Sequence, residues 1–262
     1  MQEETPLILV RKLINKYKRI SVDYSFRKPL ILSNNTAYVS FTFDDFPISA
    51  YNCGGAILDK YKVKGTYYVS FGLLNNICPS GKIADVDIVK SVVKDGHELG
   101  CHTYSHSNAW ETSPDNFESS LIKNDRALQE IFPGNKFNTF SYPLGNVTPM
   151  VKRISEKYFN CSRGGRQKLN KGIIDLNNLN SFFIDRRKKE TFENVNHIIE
   201  DNFKNKGWLI FVTHGISEDS SPYSCDPAYF ENIVKCVING GGHVMPVNEV
   251  YEAIMYQRAN LL

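Results

Sequence analysis

The sequence predicts an α/β fold, a distorted (β/α) barrel of seven or eight units with an N-terminal helical extension. Between residues 37 and 256 of the 262-residue chain, short runs rich in β-branched and aromatic residues alternate with longer segments of helical periodicity. This alternation is typical of parallel strands joined by helices. Seven or eight such units in about 220 residues favour a closed barrel over a doubly wound sheet.

The first predicted strand is the best defined. Val39, Phe41 and Phe43 recur at every second position, which is the spacing of side chains on one face of a strand. Seven further runs of similar composition follow it along the chain. The eight predicted strands are residues 37–43, 65–70, 98–101, 139–142, 159–163, 181–184, 208–213 and 243–245.

Segments of helical periodicity separate these strands. Phe117, Leu121 and Leu128 recur at roughly helical spacing. Pro114 precedes them at a position that suits a first helical turn, and Pro133 follows them as a stop signal. The predicted helices are residues 49–61, 87–94, 115–131, 148–158, 192–205, 227–239 and 247–256.

Residues 1–36 are predicted to form an extension, and residues 37–262 the main domain. Residues 7–20 have apolar side chains on one helical face and five basic side chains on the other. Such a helix can lie on an anionic membrane surface or bind an acidic partner, or it can pack its apolar stripe on its own domain. Residues 21–35, which contain Pro29, are predicted to be a connector.

Composition limits the classes of function. Hydrophobic residues make up 42% of the chain, and no apolar run is long enough to cross a bilayer. A net charge of +3 is too small to indicate nucleic acid binding. Because the first residues lack the pattern of a secretory signal, we expect a cytoplasmic protein, associated with the inner membrane face if the basic helix binds lipid. The six scattered cysteines are expected to be reduced.

Acidic and imidazole side chains follow several predicted strands. Asp44 and Asp45 end the first strand, His102 and His106 follow the third, and His214 follows residues 208–213. Two adjacent carboxylates repel each other unless a cation or a shared proton is present. Because the carboxyl ends of parallel barrel strands meet at one rim, we expect these side chains to converge there.

The residue types at this rim suit a metal ion. Imidazole nitrogens combined with a carboxylate oxygen favour a zinc-like divalent cation with coordination positions left open. Taken singly, an acid pair can be a turn after a strand, and a His-x-x-x-His pair such as His102 and His106 can be structural. Together they predict a catalytic metal site.

Four segments, taken in order, resemble the motifs of the NodB-type polysaccharide deacetylases, carbohydrate esterase family four. They are residues 42–45, 100–106, 140–145 and 211–214, and the resemblance extends over roughly residues 37–256. It implies a NodB-like barrel that removes acetyl groups from N-acetylated sugars with a divalent metal, expected to be Zn²⁺. The main domain is then the catalytic domain.

The resemblance also implies a role for each residue of the predicted metal site. Asp44 is the implied catalytic base, and His214 is the implied general acid. The implied metal ligands are Asp45, His102 and His106.

The loop after the fourth strand is implied to contact the substrate. Its residues are Tyr142, Pro143 and Leu144, and the resemblance assigns the Leu144 N–H as a donor to the developing oxyanion. Many family members carry an arginine near this loop that pairs with the catalytic acid, whereas this sequence has Ser141. The motif therefore does not identify the residue that orients Asp44.

Three charged residues after later strands are candidates for supporting roles. Arg163 and Arg166 could supply the positive charge beside Asp44, although a solvated turn explains them equally well. Asp185 could polarise His214. The basic run at residues 186–189 is expected to be solvated, although it would also suit a substrate with a phosphate group.

The predicted function is metal-dependent removal of an N-acetyl group from a glycan or from a lipid-linked or nucleotide-linked sugar. One alternative is a metal-dependent enzyme that hydrolyses a different amide bond, namely a deformylase or an imide or purine amidohydrolase. A less favoured alternative is a non-catalytic carbohydrate-binding relative.

Overall fold

Seven parallel strands close into a barrel. The structure, a computed structural model, describes residues 17–18 and 20–260. The strands follow one another around the wall in chain order, and the last pairs with the first. They are β1 (Tyr38–Phe43), β2 (Thr66–Val69), β3 (Glu98–Cys101), β4 (Thr139–Ser141), β5 (Cys161–Gln167), β6 (Leu179–Phe183) and β7 (Trp208–Thr213).

An eighth strand, β8 (His243–Val244), makes the barrel irregular at β1. The carboxyl end of β1 pairs with β2 through Thr42 and Phe43, whereas its amino end pairs with β8 through Tyr38 and Val39. The opposite edge of β1 pairs with β7 along its whole length. The predicted distorted barrel of seven or eight units is confirmed, with seven strands in the wall and β8 below β2.

Helices cover the outside of this barrel. All seven predicted helices are present, and five of them begin at a residue whose side chain accepts a backbone N–H of the first turn, the arrangement that stabilises a helix N-terminus. The helices are α1 (Ala56–Lys60), which follows a π-helical segment at Ala50–Gly55, α2 (Val86–Lys94), α3 (Pro114–Ile131), α4 (Pro149–Ser155), α5 (Phe192–Asn205), α6 (Pro227–Asn239) and α7 (Val247–Ala259).

Two hydrophobic clusters hold the barrel together. The larger one lies between the wall and the surrounding helices, where Phe41 of β1 stacks on Phe211 of β7 and meets the edge of Phe230 of α6. The smaller one joins the first residues of several strands, such as Tyr38 and Trp208, to the apolar face of α7. Because α7 closes the amino end of the barrel, the carboxyl rim is left for the site.

The predicted connector at residues 21–35 is a wrong assignment. Residues 20–24 are helical, and Pro29–Ile31 forms a strand that pairs antiparallel with Ile173–Asp175. The buried Lys152 ammonium donates to the Val22 carbonyl at 2.9 Å and also pairs with Asp175. Partners about 130 residues away stabilise this segment, and a three-residue strand that begins with proline has no local signal of its own.

Most of the predicted helix at residues 7–20 lies outside the described residues. Residues 17, 18 and 20 are helical. Among the described residues, no helix is both long and apolar enough to span a bilayer. The predicted contact with lipid stays a prediction.

His97 lies just before β3, at the amino end of the barrel, and is neutral in the folded protein. Its side chain is fully buried, and its Nδ1 accepts a hydrogen bond from the Gly65 N–H at 3.0 Å. A proton on Nδ1 would break this bond, so the ring carries its proton on Nε2. Burial, with the Lys64 ammonium nearby, lowers the pKa of His97 to about 4.

We expect His97 to make stability depend on pH. Because the pKa of His97 in the folded state lies below its ordinary value of 6.5, the unfolded chain takes up the proton first as the pH falls. The contribution of neutral His97 to the free energy of unfolding is therefore fully present above pH 6.5, and it is lost as the pH falls towards 4. The loss should reach about 3 kcal/mol.

Urea unfolding of the protein and of His97→Asn at neutral and acidic pH measures this loss. The asparagine amide oxygen can still accept the Gly65 N–H but does not titrate. The difference in unfolding free energy between the two proteins should shrink as the pH falls. A difference that stays constant with pH would contradict the prediction.

Candidate active site

The acid pair lies on a sharp turn directly after β1. The Asp44 N–H donates to the Thr213 carbonyl at 3.0 Å and so extends the pairing with β7 to the rim. Asp45 and Phe46 both have φ of 60°, in the left-handed region, and the chain reverses there. The buried Phe46 ring anchors the turn. As a result, the Asp44 carboxylate contacts Arg163 of β5, whereas the Asp45 carboxylate faces the loop after β3.

Asp45, His102 and His106 form a group that could hold a metal ion. Their candidate ligand atoms all lie within 4.8 Å of one another. The Nε2 atoms of His106 and His102 lie 3.2 and 3.5 Å from Asp45 Oδ1. This oxygen is buried and has no hydrogen-bond partner among the described residues, which is costly unless a cation satisfies it. The donor set therefore fits a divalent metal.

A hydrogen bond to the backbone orients the His102 imidazole, and the turn of the loop after β3 positions His106. The Nδ1 atom of His102 lies 2.8 Å from the Ser141 carbonyl of β4, so it carries the proton and leaves the Nε2 lone pair facing Asp45. Thr103 and His106 have φ of 60° and 53°, which turns the loop back on itself. The Ser107 N–H closes this turn by donating to Thr103 Oγ1 at 2.7 Å.

Asp44 forms a buried ion pair with Arg163. Both side chains are almost fully buried, and the guanidinium also lies 4.7 Å from the Tyr68 ring centroid. Burial raises the pKa of Asp44, but Arg163 and the nearby imidazoles outweigh this, so the pKa lies below its usual value. Asp44 is therefore held as a carboxylate at the edge of the metal group.

Arg163 occupies the position that Ser141 leaves open. Ser141 of β4 and Arg163 of β5 are register partners, and side chains of directly paired residues lie on the same face of a sheet. An arginine at either position would face the same space. The cation beside Asp44 thus comes from the next strand of the barrel.

His214 lies on the other side of the metal group. Its Nε2 is 3.9 Å from Asp45 Oδ2, and its Nδ1 is 3.6 Å from Asp185 Oδ2. Asp185 is buried and accepts hydrogen bonds from Arg187 Nε at 3.0 Å and from its Nη2 at 2.5 Å. Burial raises the pKa of Asp185, but His214 and Arg187 outweigh this and hold the pKa below its usual value. Asp185 is therefore an anion that orients the imidazole.

These side chains share one cavity of about 390 Å³ at the carboxyl rim, which we call the catalytic cavity. The acids and histidines described above line one part of it. Apolar and basic side chains from other loops line the rest, including Leu73, Leu144, Phe183, Arg187, Lys188 and Tyr223.

Comparison with known proteins fits this geometry. Residues 33–158 match the family model described as polysaccharide deacetylase. This match covers 126 of the 262 residues, and over them the chain is similar to this family. A peptidoglycan-N-acetylglucosamine deacetylase of Bacillus cereus is 33% identical over 113 residues, which are 41% of this chain and 35% of the relative. The chain thus spans between a quarter and about a third of the length of the first curated relatives.

Two solved structures of the family share the fold. A family 4 acetyl xylan esterase from Clostridium thermocellum, in complex with a cobalt ion, has a TM-score of 0.59 at 21% identity, covering 82% of this chain and 91% of that one. A family 4 pseudoenzyme from Bacillus anthracis has a TM-score of 0.56 at 15% identity, covering 83% of this chain and 66% of that one. The fold of this deacetylase family therefore does not by itself establish catalysis.

In the loop after β4, the side chains of Tyr142 and Pro143 do not reach the catalytic cavity. The Tyr142 hydroxyl points into the core, where it donates to the Asn177 carbonyl at 2.9 Å and lies 2.7 Å from Ser155 Oγ. This corrects the prediction that Tyr142 contacts the substrate, and Pro143 is also buried. Leu144 has φ of 60° and lines the catalytic cavity.

The two candidate arginines of β5 contact different acidic residues. Arg163 contacts Asp44, whereas Arg166 pairs with Asp23 of the N-terminal segment. Residues three apart on a strand point to opposite sides, so only one of the two can face the barrel interior. The suggestion that Arg166 supplies charge to Asp44 is therefore corrected.

Sequence reasoning missed Arg187. The basic run at 186–189 was expected to be solvated, and residues 187–189 are indeed exposed. The Arg187 guanidinium nevertheless binds Asp185 and lies 4.5 Å from the Tyr223 ring centroid. Lys188 also lines the catalytic cavity. The nearby acid Asp185, two residues away, was the signal that could have identified Arg187.

Proposed function

We propose that this chain is a metal-dependent hydrolase that removes the N-acetyl group from an N-acetylated carbohydrate. The observation that carries the proposal is the convergence of three kinds of group in one cavity. These are the metal-ligand group Asp45, His102 and His106, the carboxylate of Asp44 and the imidazole of His214. The name of the Bacillus cereus relative, an N-acetylglucosamine deacetylase, supports the amide of an acetylated amino sugar as the target.

Asp45, His102 and His106 would hold the metal, for which Zn²⁺ suits the ligands best. Bound there, a divalent metal would polarise the acetyl carbonyl and make a water more acidic. The chain prepares this site in advance, because the Ser141 carbonyl fixes the His102 ring and the left-handed turn at residue 45 aims the carboxylate.

Asp44 is the proposed general base. It lies beside the metal ligands, and Arg163 holds it ionised and fixed in position. A carboxylate in this state can take a proton from the water that attacks the acetyl carbon. The Leu144 N–H, in the turn that lines the cavity, is the proposed donor to the oxyanion that develops on the carbonyl oxygen.

His214 is the proposed general acid. An amine is a poor leaving group unless it is protonated as the C–N bond breaks, and histidine can deliver that proton near neutral pH. Asp185 lies next to Nδ1 and orients the ring, and Nε2 faces the metal group. The base and the acid thus lie on different sides of the reacting amide.

Acetate release tests the function directly. We expect the Zn²⁺-loaded protein to release acetate from N-acetylated chito-oligosaccharides, and a chelator to stop the reaction. His106→Ala should bind Zn²⁺ more weakly by more than the roughly 10–100-fold that loss of an outer-shell partner causes, which calorimetry measures independently of activity. His197→Ala, at an exposed helix position, is the matched control and should behave like the wild type.

The other outcomes identify the alternatives. Formate release from an N-formylated sugar without acetate release would indicate a deformylase, and turnover of a cyclic imide or a purine would indicate the corresponding amidohydrolase. Oligosaccharide binding without any product would indicate a carbohydrate-binding relative. The location inside the cell stays a prediction from the sequence.

A further inference from the structure

We infer that the substrate carries a phosphate or pyrophosphate group next to its N-acetylated sugar, and that a second cavity beside the catalytic cavity binds this group. The inference rests on the proposed function and narrows its substrate class. We call this second cavity the cationic cavity; its volume is about 510 Å³. Its polar and aromatic lining includes Trp110, Asn146, Arg166, Lys168, Asn178 and Lys188.

The charged side chains that line the cationic cavity are all positive. Three basic side chains line it, and no carboxylate does, among the residues that the structure describes. Asp23 offsets the charge of Arg166, but Lys168 and Lys188 have no carboxylate within ion-pair distance in the described part of the chain. Two unbalanced ammonium groups in a concave site favour an anionic ligand.

Hydrogen-bonding side chains accompany these cations. Asn146, Gln167 and Asn178 also line the cationic cavity, and their amides can donate to phosphate oxygens. The Trp110 ring lies at the same cavity, with the Lys18 ammonium 5.2 Å from its centroid. A cavity with cations, amides and one aromatic ring matches a phosphorylated group better than a neutral glycan.

The catalytic cavity and the cationic cavity are adjacent and share a boundary. Leu144, Gly145, Gly165 and Lys188 line both of them. At Gly145, φ is +65° and an added Cβ would lie 2.8 Å from the Cα of Gly165. The backbones of the two glycines are therefore in contact, and only Leu144 and Lys188 contribute side chains to the boundary that the two cavities share. In the proposed arrangement, one ligand crosses this boundary from the metal group into the cationic cavity.

Lys188 could contact a ligand in either cavity. It lines both, and its ammonium lies 5.5 Å from the Phe183 ring of the catalytic cavity. A sugar with its acetamide at the metal group would then have its phosphate within the region of Lys188 and Lys168.

Binding to the Asp44→Asn variant tests the inference without turnover. The probes are N-acetylglucosamine 1-phosphate and methyl N-acetylglucosaminide, which present the same acetamide with and without charge. We expect the phosphate probe to bind about tenfold more tightly at low salt, and this advantage to decline at high salt. In the same background, Lys168→Gln combined with Lys188→Gln should remove the advantage.

Lys90→Gln is the matched control, because this exposed lysine of α2 lines neither cavity. It should keep the full advantage of the phosphate probe. Equal binding of the two probes, or an advantage that survives the double substitution, would overturn the inference. Acetate release from neutral oligosaccharides in that case would leave the proposed function intact.

Wild-type turnover separates the sources of the phosphate. One arm uses a nucleoside diphosphate-linked N-acetylated sugar, and the other a polyprenyl pyrophosphate-linked sugar in detergent micelles. Acetate from either arm supports the inference and identifies the carrier. Tight binding of the phosphate probe without acetate release from any substrate would instead contradict the proposed function while supporting the cationic cavity.

Discussion

Asp44→Asn should lower kcat for acetate release by about 10²- to 10⁴-fold, the range that a general base contributes. The asparagine amide has nearly the shape of the carboxylate but does not accept a proton from water. Because Asp45, His102 and His106 remain, the variant should still bind Zn²⁺. Steady-state acetate release and metal titration calorimetry give the two measurements.

Asp201→Asn is the matched control for this experiment. Asp201 pairs with Lys171 on the surface, so the same chemical change there should leave kcat within experimental error. If Asp44→Asn kept wild-type turnover, the base would be another group. If it lost Zn²⁺ together with activity, Asp44 would belong to the metal site.

Arg163→Met should both inactivate and destabilise the protein. It leaves the buried carboxylate of Asp44 without its partner, and loss of one member of a buried ion pair costs about 3–5 kcal/mol. For a chain of this size we expect the melting temperature to fall by roughly 10 °C. Asp44 should also act less well as a base, because Arg163 no longer holds its carboxylate in position. Thermal unfolding and kcat measure the two effects.

The double variant Asp44→Asn/Arg163→Met distinguishes the pair from simple packing. Neither charge remains buried, so part of the stability lost in Arg163→Met should return, while the activity stays absent. A double variant as unstable as the sum of the two single variants would show that the two side chains do not interact. Wild-type stability of Arg163→Met would contradict the importance of the pair outright.

The pseudoenzyme that shares this fold shows why such experiments on single residues are needed. A barrel of this topology can be kept while the chemistry is lost. In this chain the acids and histidines are present, and they meet at one rim with supporting hydrogen bonds. Activity therefore depends on residues that the experiments above address one at a time.

The barrel and the main residues of the site could be predicted from the sequence because the signals for them lie in short, continuous segments of the chain. Strand and helix periodicity extends over many residues, and the acids and histidines directly follow strands. Once the strands are parallel, their carboxyl ends must share a rim. Asp44, Asp45, His102, His106 and His214 could thus be brought together without coordinates.

Other features depended on contacts between distant segments. The strand Pro29–Ile31 forms only because Ile173–Asp175 lies beside it. Arg187 enters the site because it contacts Asp185 and Tyr223, and nothing in a run of basic residues indicates which of them makes such contacts. The Tyr142 hydroxyl turned to the core because Asn177 and Ser155 offered it partners there.

The sequence alone was enough to predict the order of strands and helices, the resemblance to polysaccharide deacetylases, and the side chains that end the strands at the catalytic rim. The tertiary structure decided that Arg163 rather than Arg166 meets Asp44, and that a cationic cavity opens beside the metal group. The physical reason is that periodicity along a chain specifies which face a side chain occupies only relative to its neighbours. The register between strands, which depends on packing of the whole barrel, decides what that face meets.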